Sequence, residues 1–212
     1  MMEQNIAILV ADLSGYTALT ETHGALSAAD LIDKYVEIVN NSLVGNSYLH
    51  ERVGDEVMIV SGSPDSLLSS AIVLLSNVLQ QYKFLHIHGA LHYGKVLKRK
   101  DSFFGSAINL TSRIASQAKP GIFLCSDDFL NALTDKKACS FNPLGKYNFK
   151  NVSEEKEVFE IRAGEPTSLH VDPVCRMLLS ADEEHISHPG NSNIFFCSVN
   201  CREIYLRKEI IV

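Results

Sequence analysis

Residues 6–11 form an unbroken apolar run, Ile-Ala-Ile-Leu-Val-Ala, closed by Asp12. Such a run without alternation predicts a strand buried on both faces. Leu31, Ile32, Tyr35, Ile38, Val39 and Leu43 then fall at helical spacing, and Ser27 with Asp30 ahead of them resembles a capping box. Residues 48–53 and 57–60 flank Gly54-Asp55 and predict a β-hairpin. Pro64, after Ser63, opens a second helical stretch to about residue 79. Residues 85–93 and 95–98 read as two strands, 105–118 as a helix stopped by Pro120-Gly121, and 122–125 as a short strand. Ser126 caps a short helix, and 146–150 with 157–162 supply two last strands. The order β-α-β-β-α-β-β-α-β-α-β-β predicts an α+β sandwich around a mostly antiparallel sheet.

Composition adds a second, smaller part. A chain of 212 residues has room for one full domain and a small companion. With 46% apolar and 21% charged residues it is not a disordered chain. Cys125 and Cys139 lie within the first three quarters, whereas Cys175, Cys197 and Cys201 crowd the end. Between them runs Gly164-Glu165-Pro166-Thr167-Ser168, which is turn and linker chemistry. The predicted organisation is a domain over 1–163, a linker over 164–170 and a module over 171–212. The 19 basic against 25 acidic residues give a net charge of -6, which argues against a nucleic-acid partner and against attraction to a membrane. No apolar run approaches the ~20 residues of a membrane helix. The first residues carry Glu3 and no basic cluster, unlike a signal peptide. A cytoplasmic location is expected, with the cysteines as thiols or metal ligands.

Two constellations carry chemistry. Asp12 ends the first strand and Asp55 sits at the tip of the hairpin. Each alone reads as a cap or a turn residue. Brought together, two carboxylates repel unless a cation lies between them, and hard oxygen ligands suit Mg²⁺ or Mn²⁺ with a phosphate. Asn109 and Arg113, four apart, share one helix face. That face is either solvated surface or a place where Arg neutralises phosphoryl charge while Asn orients a sugar.

These segments in this order resemble the class III nucleotidyl cyclase catalytic domain. The resemblance runs from Asn5 to Arg162. It is carried by the Asp12-Leu13-Ser14-Gly15-Tyr16-Thr17 strand end, the Gly54-Asp55 hairpin, the helix with Gly105, Asn109 and Arg113, and the closing Leu144-Gly145 and Val158-Phe159 strands. It implies a ferredoxin-like cyclase sandwich that converts a nucleoside triphosphate to a 3′,5′-cyclic nucleotide and pyrophosphate. By the same resemblance Asp12 and Asp55 hold two Mg²⁺ or Mn²⁺ ions per site. Arg113 stabilises charge on the α-phosphorus and Asn109 positions the ribose. One chain gives the aspartates and its partner gives Asn and Arg, so a homodimer is implied. The family's base-reading places fall on Glu51 and Ser102, with Asp101 the other candidate for the second. Glu51 accepts from the two guanine donors and Ser102 donates to O6, which favours GTP over ATP. The sequence departs from the family at its triphosphate lysine, for which Lys150 and Lys156 are the candidates, and at a central-strand Arg that is His88 here. These departures keep open an alternative: a degenerate cyclase-fold dimer that binds nucleotide or only regulates.

The tail, with Cys175 in Asp172-Pro173-Val174-Cys175-Arg176-Met177 and the pair Cys197 and Cys201, resembles the YHS domain, related to TRASH heavy-metal modules. About 40 residues are too few for a stable core without a metal, a disulfide or a neighbour. Cys197 and Cys201 at i,i+4 with Cys175 from a loop suit Zn²⁺ or Cu⁺. His170, His185 and His188 are the candidates for a fourth ligand. The alternative is a module with buried thiols packed by Phe195, Phe196 and Tyr205. His50, His86 and His92 read as structural, and His23 receives no role.

Overall fold

The computed structural model describes residues 2–152, 154–162, 169–180 and 185–209. Residues 164–168 of the predicted linker lie outside the described residues. The chain divides into two compact units. Met1–Asp12, Val39–Leu75 and Ile87–Gly164 form the first; Leu13–Ile38, Ser76–His86 and Glu165–Val212 form the second.

The first unit is built on one sheet. Its strands are β1 (Met2–Leu13), β2 (Tyr48–Val53), β3 (Glu56–Ser61), β4 (Ile87–Arg99), β5 (Ser102–Phe104), β6 (Phe123–Ser126), β7 (Ser140–Tyr147) and β8 (Lys156–Arg162). They lie in the order β2-β3-β1-β4-β6-β8-β7, with β5 paired to β4. β4 and β6 run parallel, while β1–β3, β2–β3, β6–β8 and β7–β8 are antiparallel. The apolar run of β1 explains its central place. Ile6, Ile8 and Val10 form one cluster with Met58 and Val60 of β3, while Ala7, Leu9 and Ala11 are equally buried on the opposite face. The cluster continues through Ala107, Leu110 and Ile114 of α3 (Ser106–Ala115), so α3 packs on the sheet by its apolar stripe. The short helix α4 (Asp127–Ala132) starts at Ser126, whose side chain accepts the Phe129 N–H as the sequence predicts.

Three elements differ from the sequence expectation. The predicted strand pair 85–93 and 95–98 is one strand, β4, and the extra strand is β5. Gly94 reads as a turn in sequence, but a Cβ there would stand 2.9 Å from the Ala107 Cβ, so the glycine admits helix α3 rather than turning the chain. β7 begins at Ser140, ahead of the predicted 146, because Pro143 is tolerated on an edge strand, where the register also shifts between Pro143 and Gly145. The first helix, α1 (Tyr16–Asn41), starts well ahead of Ser27. It is two helical stretches joined at Gly24, whose φ of 84° and ψ of 168° only glycine adopts readily. The second long helix, α2 (Pro64–Leu79), starts where Ser63-Pro64 places it.

The second unit holds a tail of short elements. β9 (Leu169–Val171) pairs with β10 (Leu178–Ser180), β11 (Ile186–His188) pairs with β12 (Asn191–Phe196), and α5 (Val199–Glu209) follows. Cys175, Leu179, Phe196, Cys197 and Cys201 are its buried cluster, with Tyr205 packed against it. The tail joins earlier chain by backbone: the Leu178 N–H donates to the Phe84 carbonyl at 2.6 Å.

Candidate functional site

Sheet register brings the two aspartates to one end of the first unit. Ala11 pairs with Val57 across β1 and β3, and Val53 pairs with Glu56 across β2 and β3. Asp12 is thus one residue beyond the β1–β3 ladder and Asp55 is in the two-residue turn beside it. The carboxyls interact. Burial, then the charge of Asp12 and a hydrogen bond shared with it, push Asp55 up to about 6. Glu56 is raised too, by burial and then by Asp55 and Glu51. Two half-buried carboxyl groups pressed together on a rigid sheet end form a hard-oxygen donor set that fits a divalent cation. His88 joins them. Its ring donates to the Asp12 backbone carbonyl and faces Asp55, while burial holds it below the usual imidazole range. The sequence marks His88 only as standing where the family has Arg; the signal available was its place in the strand that neighbours β1.

Helix α3 carries the second pair. Ala107, Leu110, Thr111 and Ile114 are buried against the sheet, which leaves Asn109 exposed and Arg113 half-buried, one turn apart. Glu51 is exposed on β2 and lines a small cleft of about 70 Å³ with Glu56, Met58, Ile108 and Ser112. Glu51 and α3 thus line one cleft within one chain. Ser102 is exposed at the start of β5 and is not part of that cleft; Asp101 beside it faces a different hollow with Tyr48, His50 and Phe103. Of the two lysine candidates, Lys150 is exposed, and Lys156 Nζ donates to Asp128 at 2.9 Å. Lys156 and Asp128 line a cavity of about 330 Å³ with His92, Lys95, Asn151 and Glu154. His92 is buried there, its Nδ1 2.8 Å from the Ser126 hydroxyl, and burial drives it down to about 4.

The second unit gathers the three tail cysteines. Cys175 Sγ lies 3.4 Å from Cys197 Sγ, which lies 3.5 Å from Cys201 Sγ. Asp172 organises them. Its fully buried carboxyl accepts from the Val174 N–H at 2.8 Å, the Cys175 N–H at 3.2 Å and the Cys197 N–H at 2.7 Å. Ser198 caps α5, its hydroxyl accepting the Cys201 N–H at 3.2 Å. Hydrogen bonds from Cys175 and Cys197 hold Cys201 far below the usual thiol range, and the same contacts raise Cys175. Three sulfurs packed this closely form a soft-metal donor set.

The three histidines proposed for the fourth ligand stand elsewhere. His185 Nε2 is hydrogen-bonded to the Ser180 carbonyl, His188 Nε2 lies 3.0 Å from Glu209, and His170 lies tilted against the Phe195 ring with centroids 4.2 Å apart. The imidazole at the sulfurs is His23 of α1. Its Nε2 is 3.5 Å from Cys197 Sγ and 3.6 Å from Cys201 Sγ, and the four ligand atoms all lie within 4.8 Å of one another. Among the described residues no helix is long and apolar enough to cross a membrane.

Comparison with known proteins gives the family and the fold. Residues 2–163 match the family model of the adenylate and guanylate cyclase catalytic domain. A pH-sensitive adenylate cyclase of Mycobacterium tuberculosis is 24% identical over 164 residues, 76% of this chain and 41% of the relative. The chain spans well under half the length of the curated relatives it matches. Among solved structures, the adenylyl cyclase CyaB of P. aeruginosa is similar with a TM-score of 0.65 at 17% identity, over 78% of this chain and 98% of that one. The guanylate cyclase domain of RhGC from Catenaria anguillulae, in complex with GTP, gives 0.64 at 18%, over 78% and 100%. Both share the fold.

Proposed function

Because this chain belongs to the adenylate and guanylate cyclase catalytic-domain family, we propose that it cyclises a nucleoside triphosphate, GTP in preference to ATP, at sites shared between two copies. The observation that carries the reading is the pressed pair Asp12 and Asp55, which repel without a cation between them. In this reading they hold two Mg²⁺ or Mn²⁺ ions, which when bound neutralise phosphate charge and acidify the ribose 3′-hydroxyl. The 3′-hydroxyl gives up its proton to water, its oxygen bonds to the α-phosphorus, and the bond from that phosphorus to the pyrophosphate oxygen breaks. Arg113 of the partner copy donates to the charged phosphoryl oxygens along this path. Asn109, one turn before it, fixes the ribose so that attack is in line. Glu51 accepts from guanine N1–H and N2–H. Its place beside Ile108 of α3 in the lining of one cleft supports a base held over that helix; Ser102, which in this reading donates to O6, lies outside that cleft.

One observation favours the second reading, a nucleotide-binding regulatory dimer: Lys156 is engaged by Asp128 rather than free for a triphosphate. Product formation from GTP and from ATP with Mn²⁺, wild type beside Asp55→Ala, separates them. Cyclic GMP that is lost in Asp55→Ala is expected. Cyclic AMP alone overturns the base assignment, and no product from a folded dimer overturns the enzyme. In the same reading Cys175, Cys197 and Cys201 hold a soft metal, Zn²⁺ or Cu⁺, in the tail.

A further inference from the structure

Three sulfurs need a fourth donor to close a tetrahedron, and the chain supplies one from far away. A tetrahedral site with metal–sulfur bonds of about 2.3 Å and a metal–nitrogen bond of about 2.0 Å has sulfur–sulfur edges of about 3.8 Å and sulfur–nitrogen edges of about 3.5 Å. Two of the three sulfur–sulfur edges here are 3.4 and 3.5 Å, two of the three edges to His23 Nε2 are 3.5 and 3.6 Å, and all six lie within 4.8 Å. The geometry points to His23 as the fourth ligand of a closed Cys3His zinc centre that staples α1 to the tail. This rests on reading the cysteines as metal ligands, and adds the missing ligand, the metal and the task.

Zinc is singled out by coordination number. Cu⁺ is satisfied by thiolates alone, whereas structural Zn²⁺ takes four ligands, and Cys3His is one of its standard sets. With all four positions filled by protein, no place remains for water or substrate, so the centre is structural. The support around it is in place. Asp172 fixes the loops that bear Cys175 and Cys197, and Ser198 fixes the helix start that bears Cys201. Three thiolates on Zn²⁺ leave one net negative charge, and Lys83 Nζ sits 2.9 Å from the Cys197 carbonyl. The turn at Gly24, directly after His23, frees the imidazole-bearing turn of α1 from the course of the helix that follows. One ion thus ties together two of the three stretches of chain that make up the second unit, Leu13–Ile38 and Glu165–Val212.

The test is Co²⁺ substitution of the metal-stripped full chain under reducing conditions. Wild type is expected to bind one Co²⁺ with the visible bands of a tetrahedral ion and the charge transfer of three thiolates. His23→Ala is expected to keep that charge transfer but bind at least ~10-fold more weakly, the lower bound for losing a ligand when lost outer-shell support alone costs that much. His23→Cys restores tight binding and raises the charge transfer by a third. If His23→Ala binds as tightly as wild type with unchanged visible bands, His23 is not a ligand, and the reading of the cysteines alone survives. If the folded wild-type chain takes up no tetrahedral Co²⁺, both fall. Cyclase activity is not read, so these outcomes are independent of the cyclase proposal.

Discussion

Asp172 offers a direct measure of what holds the cysteine module together. Its carboxyl is fully buried and accepts three backbone N–H groups, from Val174, Cys175 and Cys197. Asp172→Ala removes both acceptor oxygens and leaves three donors in a packed core. An orphaned buried donor costs about 1–3 kcal/mol, so the low end already sums to about 3 kcal/mol. At 1.4 kcal/mol per tenfold, opening of the module becomes about a hundredfold more frequent. Asp172→Asn is a graded control: its amide oxygen still serves Val174 and Cys175, while its NH₂ group meets the Cys197 N–H donor to donor. Labelling of Cys175, Cys197 and Cys201 by a thiol reagent reads the opening, because all three are buried. Mass spectrometry of metal-free protein separates them from Cys125 and Cys139. The expected order of labelling rates is Ala, then Asn, then wild type, with Ala about a hundredfold above wild type. A change below fivefold in Asp172→Ala, in a chain that keeps its circular dichroism, refutes the claim that this carboxyl holds the cysteine loops.

If the active site is shared, Asp55→Ala and Arg113→Ala are each inactive alone. When mixed, half of the dimers are mixed and each keeps one intact site of two, so activity returns to about a quarter of the wild-type rate; no recovery after confirmed exchange refutes the shared site. His92 gives a pH signature. Burial holds it at about 4 in the folded chain, with Asp128 at 4.0 Å and Lys156 and Asp127 also acting on it, against about 6.5 unfolded. The unfolded state binds the extra proton between these values, so stability falls by up to about 3 kcal/mol as pH drops from 6.5 to 4. In His92→Asn that loss shrinks, since His86 and His88 shift the same way in both proteins; parallel urea-unfolding profiles in wild type and variant count against it.

The order of elements was legible because most boundaries are written in local chemistry. Ser126 caps α4, Ser63-Pro64 starts α2, and Gly54-Asp55 turns β2 into β3. The errors fall where a residue serves the tertiary structure instead. Gly94 looks like a break and is a contact with α3; Pro143 looks like a strand stop and sits on an edge. The same distinction separates the two candidate sites. Asp12 and Asp55 could be paired in advance because one strand end and one hairpin carry them, and the ladder of β1, β3 and β2 fixes their approach. Asn109 and Arg113 follow from helical spacing alone. Cys197 and Cys201 were legible for that reason too, and Cys175 from its loop. His23 was not. No periodicity links a residue of α1 to cysteines more than a hundred positions later, and the repeating apolar spacing of α1 is written only beyond Gly24, with Leu19 the one fully buried side chain between Tyr16 and Gly24. A module cut off near residue 164 offers only its own histidines, His170, His185 and His188, as a fourth ligand. The compact units are cut differently: Leu13–Ile38 and Ser76–His86 cluster with the tail. A module of about 40 residues that cannot bury a core of its own must borrow one, and the borrowed segment, not the tail, is where its remaining ligand had to be sought.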